Sequence, residues 1–313
     1  IKAIDKITQE ELYLKGTKGV VLATASIDAA YDLKVKRFST ILSETDAACE
    51  FNDGYGIKMA AKIGADITEW NSASSFSVRS QAPSPDVGIY SKQAWMPYGL
   101  IDAGAIMVTK AGKRYASEDL AQQEQVAELN KLPDRFAYMV YDDAIARNFQ
   151  VSPDMVVSSI PNLGWGTVDD FVAIGAILKA DTIEEVAALA GVDPSGLADE
   201  IAKYNGYAAV GSDPDFKRKK FGLEEAGTLN KGLTTAPYYI HGPQKGEITQ
   251  SNLTLSINTE FQVLDAFREP IVGLYAVGMV GHGLSPLGGG GHGGNMTWAF
   301  TSGRLAGTQL AGK

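Results

Sequence analysis

Between Pro270 and Leu305 the chain reads PIVGLYAVGMVGHGLSPLGGGGHGGNMTWAFTSGRL, with ten glycines from Gly273 to Gly294. A loop so poor in side chains lets backbone amides approach a flat or anionic ligand closely. It runs straight into an apolar, helix-compatible segment, whose free N–H groups and positive dipole end face whatever the loop holds. Something planar or negatively charged is expected there.

The rest of the composition narrows the class. With 313 residues, 45% of them hydrophobic and 21% charged, the chain is long enough for two lobes with sizeable cores. A net charge of −9 argues against nucleic acid, whose phosphates demand a basic surface. No apolar run reaches the roughly 18–20 residues needed to span a bilayer. Cys49 stands alone, so there is no disulfide framework, and His241, His282 and His292 suggest no metal centre. The chain opens at Ile1 without a signal-peptide pattern, so a longer gene product is expected, soluble and either cytoplasmic or exported by a signal outside this stretch.

Lys18–Ala25 (KGVVLATA) has the continuous apolar character of a strand buried on both faces of a parallel sheet. Ile4–Leu14 suits a hairpin or edge strands, and DGYG at Asp53 opens a helix ending near Gly64. Residues 70–98 read mostly as loop. Ala105–Val108 and a strand beginning at Arg114 form a hairpin around Lys110–Lys113, and Phe136–Tyr141 is another buried strand. Helices are expected over Asp181–Leu189 and Pro194–Tyr207, announced by Asp181-Thr182 and Asp193-Pro194. Lys217–Lys220 reads as a solvated turn. Leu253–Ile257 pairs with Phe261–Leu264 in a second hairpin, Gly273–Val277 is a strand, and Asn295–Leu310 is the final helix. The pattern is mixed α/β, with apolar strands at both ends of the chain and a middle lobe inserted between them.

A series of segments, in order, resembles the fumarate reductase/succinate dehydrogenase flavoprotein family, which includes urocanate reductase-like and 3-ketosteroid dehydrogenase-like members. They are KGVVLATASID (Lys18–Asp28), GYGIKMAAKIGA (Gly54–Ala65), GAIMVTKAGKRYASE (Gly104–Glu118), GVDPSGLADEIAKYNGY (Gly191–Tyr207), APYYI (Ala236–Ile240) and INTEFQVLDAFREPIVGLYAVG (Ile257–Gly278). The resemblance implies a partial Rossmann-like FAD-binding domain at residues 1–75 and 247–313, interrupted by an α+β capping domain at 76–246. The family's G-x-G-x-x-G fingerprint is absent, so the chain corresponds to the C-terminal portion of a flavoprotein whose N-terminal segment supplies it.

Carried over position by position, the resemblance implies FAD contacts at three places. Gly293, Gly294, Asn295 and Met296 match the helix N-terminus that meets the flavin ring. Gly278 matches the glycine beside the ribityl chain, with Met279 where the family has an acidic or amide residue. Ala23, Thr24 and Ala25 match an ATGG stretch, with Ala25 and Ser26 in place of its glycines. The carboxylate clamps of fumarate reductases are missing. The proton-delivering arginine falls on Gln122, a Thr-Glu pair on Pro97 and Tyr98, a histidine on about Ile248, and the loop arginine on Leu287–Gly290. Burying an uncompensated carboxylate costs several kcal/mol, so fumarate and succinate are not expected as substrates.

The expected acid–base groups are Tyr98 and His292, with Trp95, His282 and Tyr55 nearby. Arg114 and Glu118 read either as a proton relay or as a buried structural pair. Tyr138, Tyr141, Trp165 and Phe171 read as cap core. The expected reaction is hydride transfer between FAD and a C–C bond next to a carbonyl of a weakly charged small molecule (an enone, steroid-like or acrylate compound), with direction and electron partner open. The alternative is a non-catalytic flavoprotein fragment or subunit. A non-flavin α/β hydrolase or sugar-binding protein is not expected, since no Gly-x-Ser-x-Gly elbow occurs.

Overall fold

A computed structural model describes residues 1–47, 49–69, 75–81, 93–95, 98–149, 168–173, 175, 177–222, 232–250, 253–281 and 292–312. The fold is mixed α/β. In chain order the first elements are β1 (Lys2–Ile4), β2 (Glu11–Tyr13), β3 (Val20–Leu22), α1 (Tyr31–Arg37), α2 (Thr40–Ser43), β4 (Asp46–Ala47), α3 (Tyr55–Ala61) and β5 (Ile67–Glu69). There follow β6 (Ser75–Gln81), β7 (Gln93–Trp95), α4 (Tyr98–Asp102), β8 (Ile106–Val108), α5 (Gln122–Asn130), β9 (Phe136–Asp142), α6 (Asp143–Phe149) and α7 (Val168–Ala173). The last are β10 (Ile177–Ala180), α8 (Ile183–Ala190), α9 (Pro194–Val210), β11 (Tyr238–Gln250), β12 (Leu253–Leu255), β13 (Gln262–Leu264), β14 (Pro270–Ala276), a 3₁₀ turn (Gly278–Val280) and α10 (His292–Ala311). Two compact units result: Ile1–Phe38 with Asp46–Ser75 and Ile248–Lys313, and Ser39–Thr45 with Phe76–Glu247.

The first unit centres on a small sheet ordered β13–β14–β3. β3 runs parallel to β14, with Val20 opposite Leu274 and Leu22 opposite Ala276. One core gathers Leu22, Ile27, Ile57, Leu255, Val263 and Ala276, bringing α3 against the sheet. A second gathers Phe261, Tyr275, Val277 and Ala306 with Trp298 and Leu310, so α10 lies on the sheet through its own apolar side. β1 and β2 form an antiparallel hairpin, one of the two readings of Ile4–Leu14, with its first strand earlier, at Lys2–Ile4.

The second unit is built on a sheet ordered β7–β6–β11–β9–β8, with β10 also on β11. Its helices start and stop where side chains dictate. Thr182 Oγ1 accepts from the Glu185 amide at 3.2 Å to cap α8, and Asp193 Oδ1 accepts from the Ser195 amide at 3.1 Å to cap α9, with Pro194 in the first turn. Gly191 and Gly211 close these helices in the left-handed conformation, at φ +68° and +66°.

Four sequence readings need correction. Residues 75–81 and 93–95 are strands, not loop, because β6 finds partners in β7 and β11. The strand expected from Arg114 is reduced to a single bridge between Val108 and Arg114. Leu253–Leu255 pairs with Ile67–Glu69 and Gln262–Leu264 with Pro270–Ala276, so the anticipated hairpin survives only as an Ile257–Val263 bridge. β3 is not buried on both faces: Val21 remains 41% exposed.

Candidate functional site

Because β3 and β14 are adjacent and parallel, the loops that follow them leave the same end of the sheet. Leu22 and Ala276 are register partners, and the Val277 amide donates to the Leu22 carbonyl at 3.0 Å. Ala23–Ala25 and Gly278–Met279 therefore emerge side by side at the carboxyl ends of parallel strands, where α/β sheets bind their ligands.

The loop after β3 is small, exposed and rich in free donors. Ala23 and Thr24 are exposed, and the amides of Thr24 and Ala25 donate to no acceptor among the described residues. Ala25 takes φ +56°, a left-handed conformation that favours glycine. Behind the loop lies a fully buried carboxylate. Asp28 accepts from Ser26 Oγ at 2.9 Å and from Asn52 Nδ2 at 2.7 Å, while the Ala29 amide donates to the Asn52 carbonyl at 2.9 Å. Burial lowers the pKa of Lys34, and Asp28 and Asp46 oppose that shift. The first turn of α3 comes so close that a Cβ on Gly56 would lie 1.8 Å from Thr24 Oγ1.

At the end of β14, Gly278 sits at φ +64° and Met279 is the one side chain of the 3₁₀ turn that is not buried. The Gly278 amide donates to Ser302 Oγ at 3.0 Å, and Trp298 Nε1 donates to the carbonyls of Gly278 and Gly281 at 3.1 and 3.0 Å. Sequence reading missed Trp298 and Ser302, whose only signal is their i, i+4 spacing on a helix. His292 opens α10, Gly293, Gly294 and Asn295 follow in its first turn, and Met296 is exposed. Helix α10 thus begins with its free amides on a stretch holding two glycines. An apolar groove of about 610 Å³ beside β3 is lined by residues that include Val20, Leu22, Met59, Ile63, Ile271 and Leu274.

The other expected residues are divided between the two units or lie outside the described residues. Tyr98 opens α4. Gln122 is the exposed first residue of α5, and Ile248 is buried. Pro97, Trp165, His282 and Leu287–Gly290 lie outside the described residues. Tyr138 and Tyr141 are buried, the latter stacked on Tyr239 with ring centroids 5.3 Å apart. Tyr55 is exposed at the start of α3.

Arg114 has a side chain with no exposed surface. Its Nε donates to Glu118 Oε1 and its Nη2 to Asp213 Oδ2, both at 2.9 Å, and its guanidinium lies between the rings of Tyr204 and Phe216, at 5.2 and 5.0 Å. Burial works against its charge, but Glu118 and Asp213 outweigh that and hold its pKa above the ordinary arginine value. Arg218 joins the cluster. It is fully buried, donating to the carbonyls of Ala105, Ile101 and Lys220 at 2.8, 2.7 and 2.6 Å, with Glu118 3.3 Å away. The solvated-turn reading of Lys217–Lys220 is therefore wrong at Arg218, which finds three carbonyls and a carboxylate inside. Among the described residues there is no cluster of metal-binding side chains and no helix long and apolar enough to cross a membrane.

A parallel strand pair with free amides at its carboxyl end, followed by a glycine-opened helix, defines a nucleotide-binding α/β protein. Residues 2–292 match the FAD binding domain family; the chain belongs to that family, and its cofactor is FAD. The chain is 29% identical over 282 residues to a probable fumarate reductase of Shewanella frigidimarina, covering 88% of this chain and 42% of that protein. It is also 29% identical over 315 residues to NADH:acrylate oxidoreductase of Vibrio harveyi, covering 95% of this chain and 27% of that one. Its fold is similar to the open conformation of a flavocytochrome c3 fumarate reductase, with a TM-score of 0.71, 25% identity, and coverage of 94% of this chain and 46% of the other. The chain spans less than half the length of each of these relatives.

The residues present fit FAD. Thr24 and Ala25 offer amides with no acceptor among the described residues, Ala23 and Ala25 are small enough for close approach, and the Asp28 carboxylate is turned inward onto Ser26 and Asn52.

Proposed function

We propose that this chain is part of an FAD-dependent oxidoreductase acting on a C–C bond next to a carbonyl, in a weakly charged substrate of the enone, steroid-like or acrylate type, and not on fumarate or succinate. The observation that carries this is the emergence of Ala23–Ala25 and Gly278–Met279 from one end of the parallel β3–β14 pair. In this reading Ala23, Thr24 and Ala25 hold the nucleotide, Gly278 and Met279 flank the ribityl chain, and Gly293, Gly294, Asn295 and Met296 meet the flavin ring. The second unit serves as the cap. When bound, FAD supplies the hydride chemistry.

The chain's own task is to orient the substrate, exclude water and hold a proton on the phenol of Tyr98 or the imidazole of His292. Arg114 stands apart from that duty: locked between two carboxylates and two rings, it acts as a structural post of the second unit. The lack of charge at Gln122 and Ile248 supports a substrate without two carboxylates. The groove beside β3, with Val21 exposed, supports completion of the first unit by a strand-and-helix segment of the same gene product that carries the G-x-G-x-x-G turn.

The test is expression of the complete open reading frame, a visible absorption spectrum, and turnover with acrylate, an enone and fumarate. Flavin bands with activity on either of the first two, and none on fumarate, are expected. A colourless folded protein overturns the proposal, and a flavin-bound protein without turnover favours the non-catalytic alternative.

A further inference from the structure

We propose that Trp298 and Ser302 are positioning residues of the flavin site: they fix the Gly278–Gly281 turn to α10, so that the turn and the start of that helix keep one spacing. The inference rests on the FAD reading above, which assigns flavin contacts to both Gly278–Met279 and Gly293–Met296. Neither Trp298 nor Ser302 belongs to those contacts.

Three bonds tie the turn to the helix. Ser302 Oγ accepts from the buried Gly278 amide at 3.0 Å, and the Trp298 indole N–H is shared between the carbonyls of Gly278 and Gly281, at 3.1 and 3.0 Å. The Gly281 amide closes the turn on the Gly278 carbonyl at 3.1 Å. Both side chains project from one side of α10, being four residues apart. They are coupled to each other, because Ser302 Oγ also donates to the Trp298 carbonyl at 2.6 Å. The indole is held in turn by Phe261, with ring centroids 6.2 Å apart.

The turn has little freedom to answer a loss of these bonds smoothly. Gly281 is pressed against β14 so tightly that a Cβ there would lie 2.6 Å from the Ala276 carbonyl carbon and oxygen. Gly278 holds φ +64°, and its amide, once deprived of Ser302, is a buried donor with no partner. The turn then repacks as a unit, carrying Met279 with it. A misplacement of this kind acts on ligand geometry before it acts on the fold.

The experiment compares full-length wild-type protein with Trp298→Phe, Ser302→Ala, Ser302→Thr and Leu310→Ala. FAD dissociation constants come from flavin fluorescence, the bound-flavin spectrum from absorbance, and stability from urea unfolding. Leu310 packs in the same core on the same helix but makes none of these bonds, so it controls for destabilisation alone. Trp298→Phe and Ser302→Ala are each expected to weaken FAD at least 10-fold and to shift the flavin bands. Ser302→Thr restores both, and Leu310→Ala stays within 2-fold of wild type. Wild-type affinity in Trp298→Phe and Ser302→Ala overturns the positioning role alone, as does equal weakening in Leu310→Ala. A wild-type protein that binds no FAD overturns the underlying reading as well.

Discussion

Arg114 Nη2 stands 2.9 Å from Asp213 Oδ2, and neither side chain has any exposed surface, although 99 residues of chain separate them. Glu118 completes the arrangement from the other side at 2.9 Å. Burial alone would raise the Asp213 pKa, but the Phe216 amide and Arg114 outweigh it and hold the carboxyl below its usual range. Replacing Arg114 by Met takes its cation from two buried carboxylates, leaving Glu118 with Arg218 and Asp213 with backbone amides. A loss of about 3–5 kcal/mol in urea unfolding is expected, with Arg114→Lys intermediate because it cannot reproduce the fork.

His241 gives the second unit an acid limit. It is buried, and burial lowers its pKa from 6.5 to about 4. Between those values the unfolded chain binds a proton that the folded chain refuses, so the contribution of His241 is complete above about pH 6.5 and drains away as pH falls towards 4. About 2 kcal/mol of stability should disappear between pH 7 and pH 5, at ~1.4 kcal/mol per unit. His241→Asn should flatten that slope, as read from urea midpoints across the range.

Ala25 pays for its φ of +56° with a Cβ crowded against its own backbone. Ala25→Gly removes the crowding and adds unfolded-state freedom, which partly cancels the gain. A net rise of about 0.5–1 kcal/mol is expected in thermal or urea unfolding. A fall in stability would show that this loop is unstrained.

Met279 is half-buried at the tip of the 3₁₀ turn and offers no acceptor to a ribityl hydroxyl. On the proposed placement of FAD, Met279→Glu supplies a charge-assisted acceptor worth about 1.5 kcal/mol, so the dissociation constant should tighten roughly tenfold. Unchanged affinity would remove Met279 from the flavin site.

Gln122 opens α5 and is exposed. Gln122→Arg alone should not confer fumarate reduction, because the other clamp positions that the family resemblance implies still carry no charge. Measurable fumarate turnover by that variant would refute the weakly charged substrate proposed for this chain.

Local chemistry made much of this fold legible. The Thr182 and Asp193 caps, the Gly54 turn and the apolar run at Val20–Leu22 each act within a few residues, and each element formed where those signals stand. What misled was distant partnership. Leu253–Leu255 reads as half of a hairpin with its neighbour, yet Thr68 and Ile67 take its edge. Arg218 lies in a run of four cations that looks solvated, and the distant carbonyls of Ala105 and Ile101 and the Glu118 carboxylate explain why it is inside. The candidate site divided the same way. Glycines and small residues marked the loops in sequence, but the indole and hydroxyl that hold one of them carry no motif.

The parallel pairing of β3 with β14 has a consequence for how the protein is made. Val20–Leu22 leaves the ribosome before Leu274–Ala276 and must wait for it, with all of Phe76–Glu247 synthesised in between. The intervening unit can therefore be complete while the first one is still missing β12, β13, β14 and α10. During that interval the sheet edge at Val20–Leu22 is bare, so nascent chains stalled before Pro270 should be the ones chaperones capture.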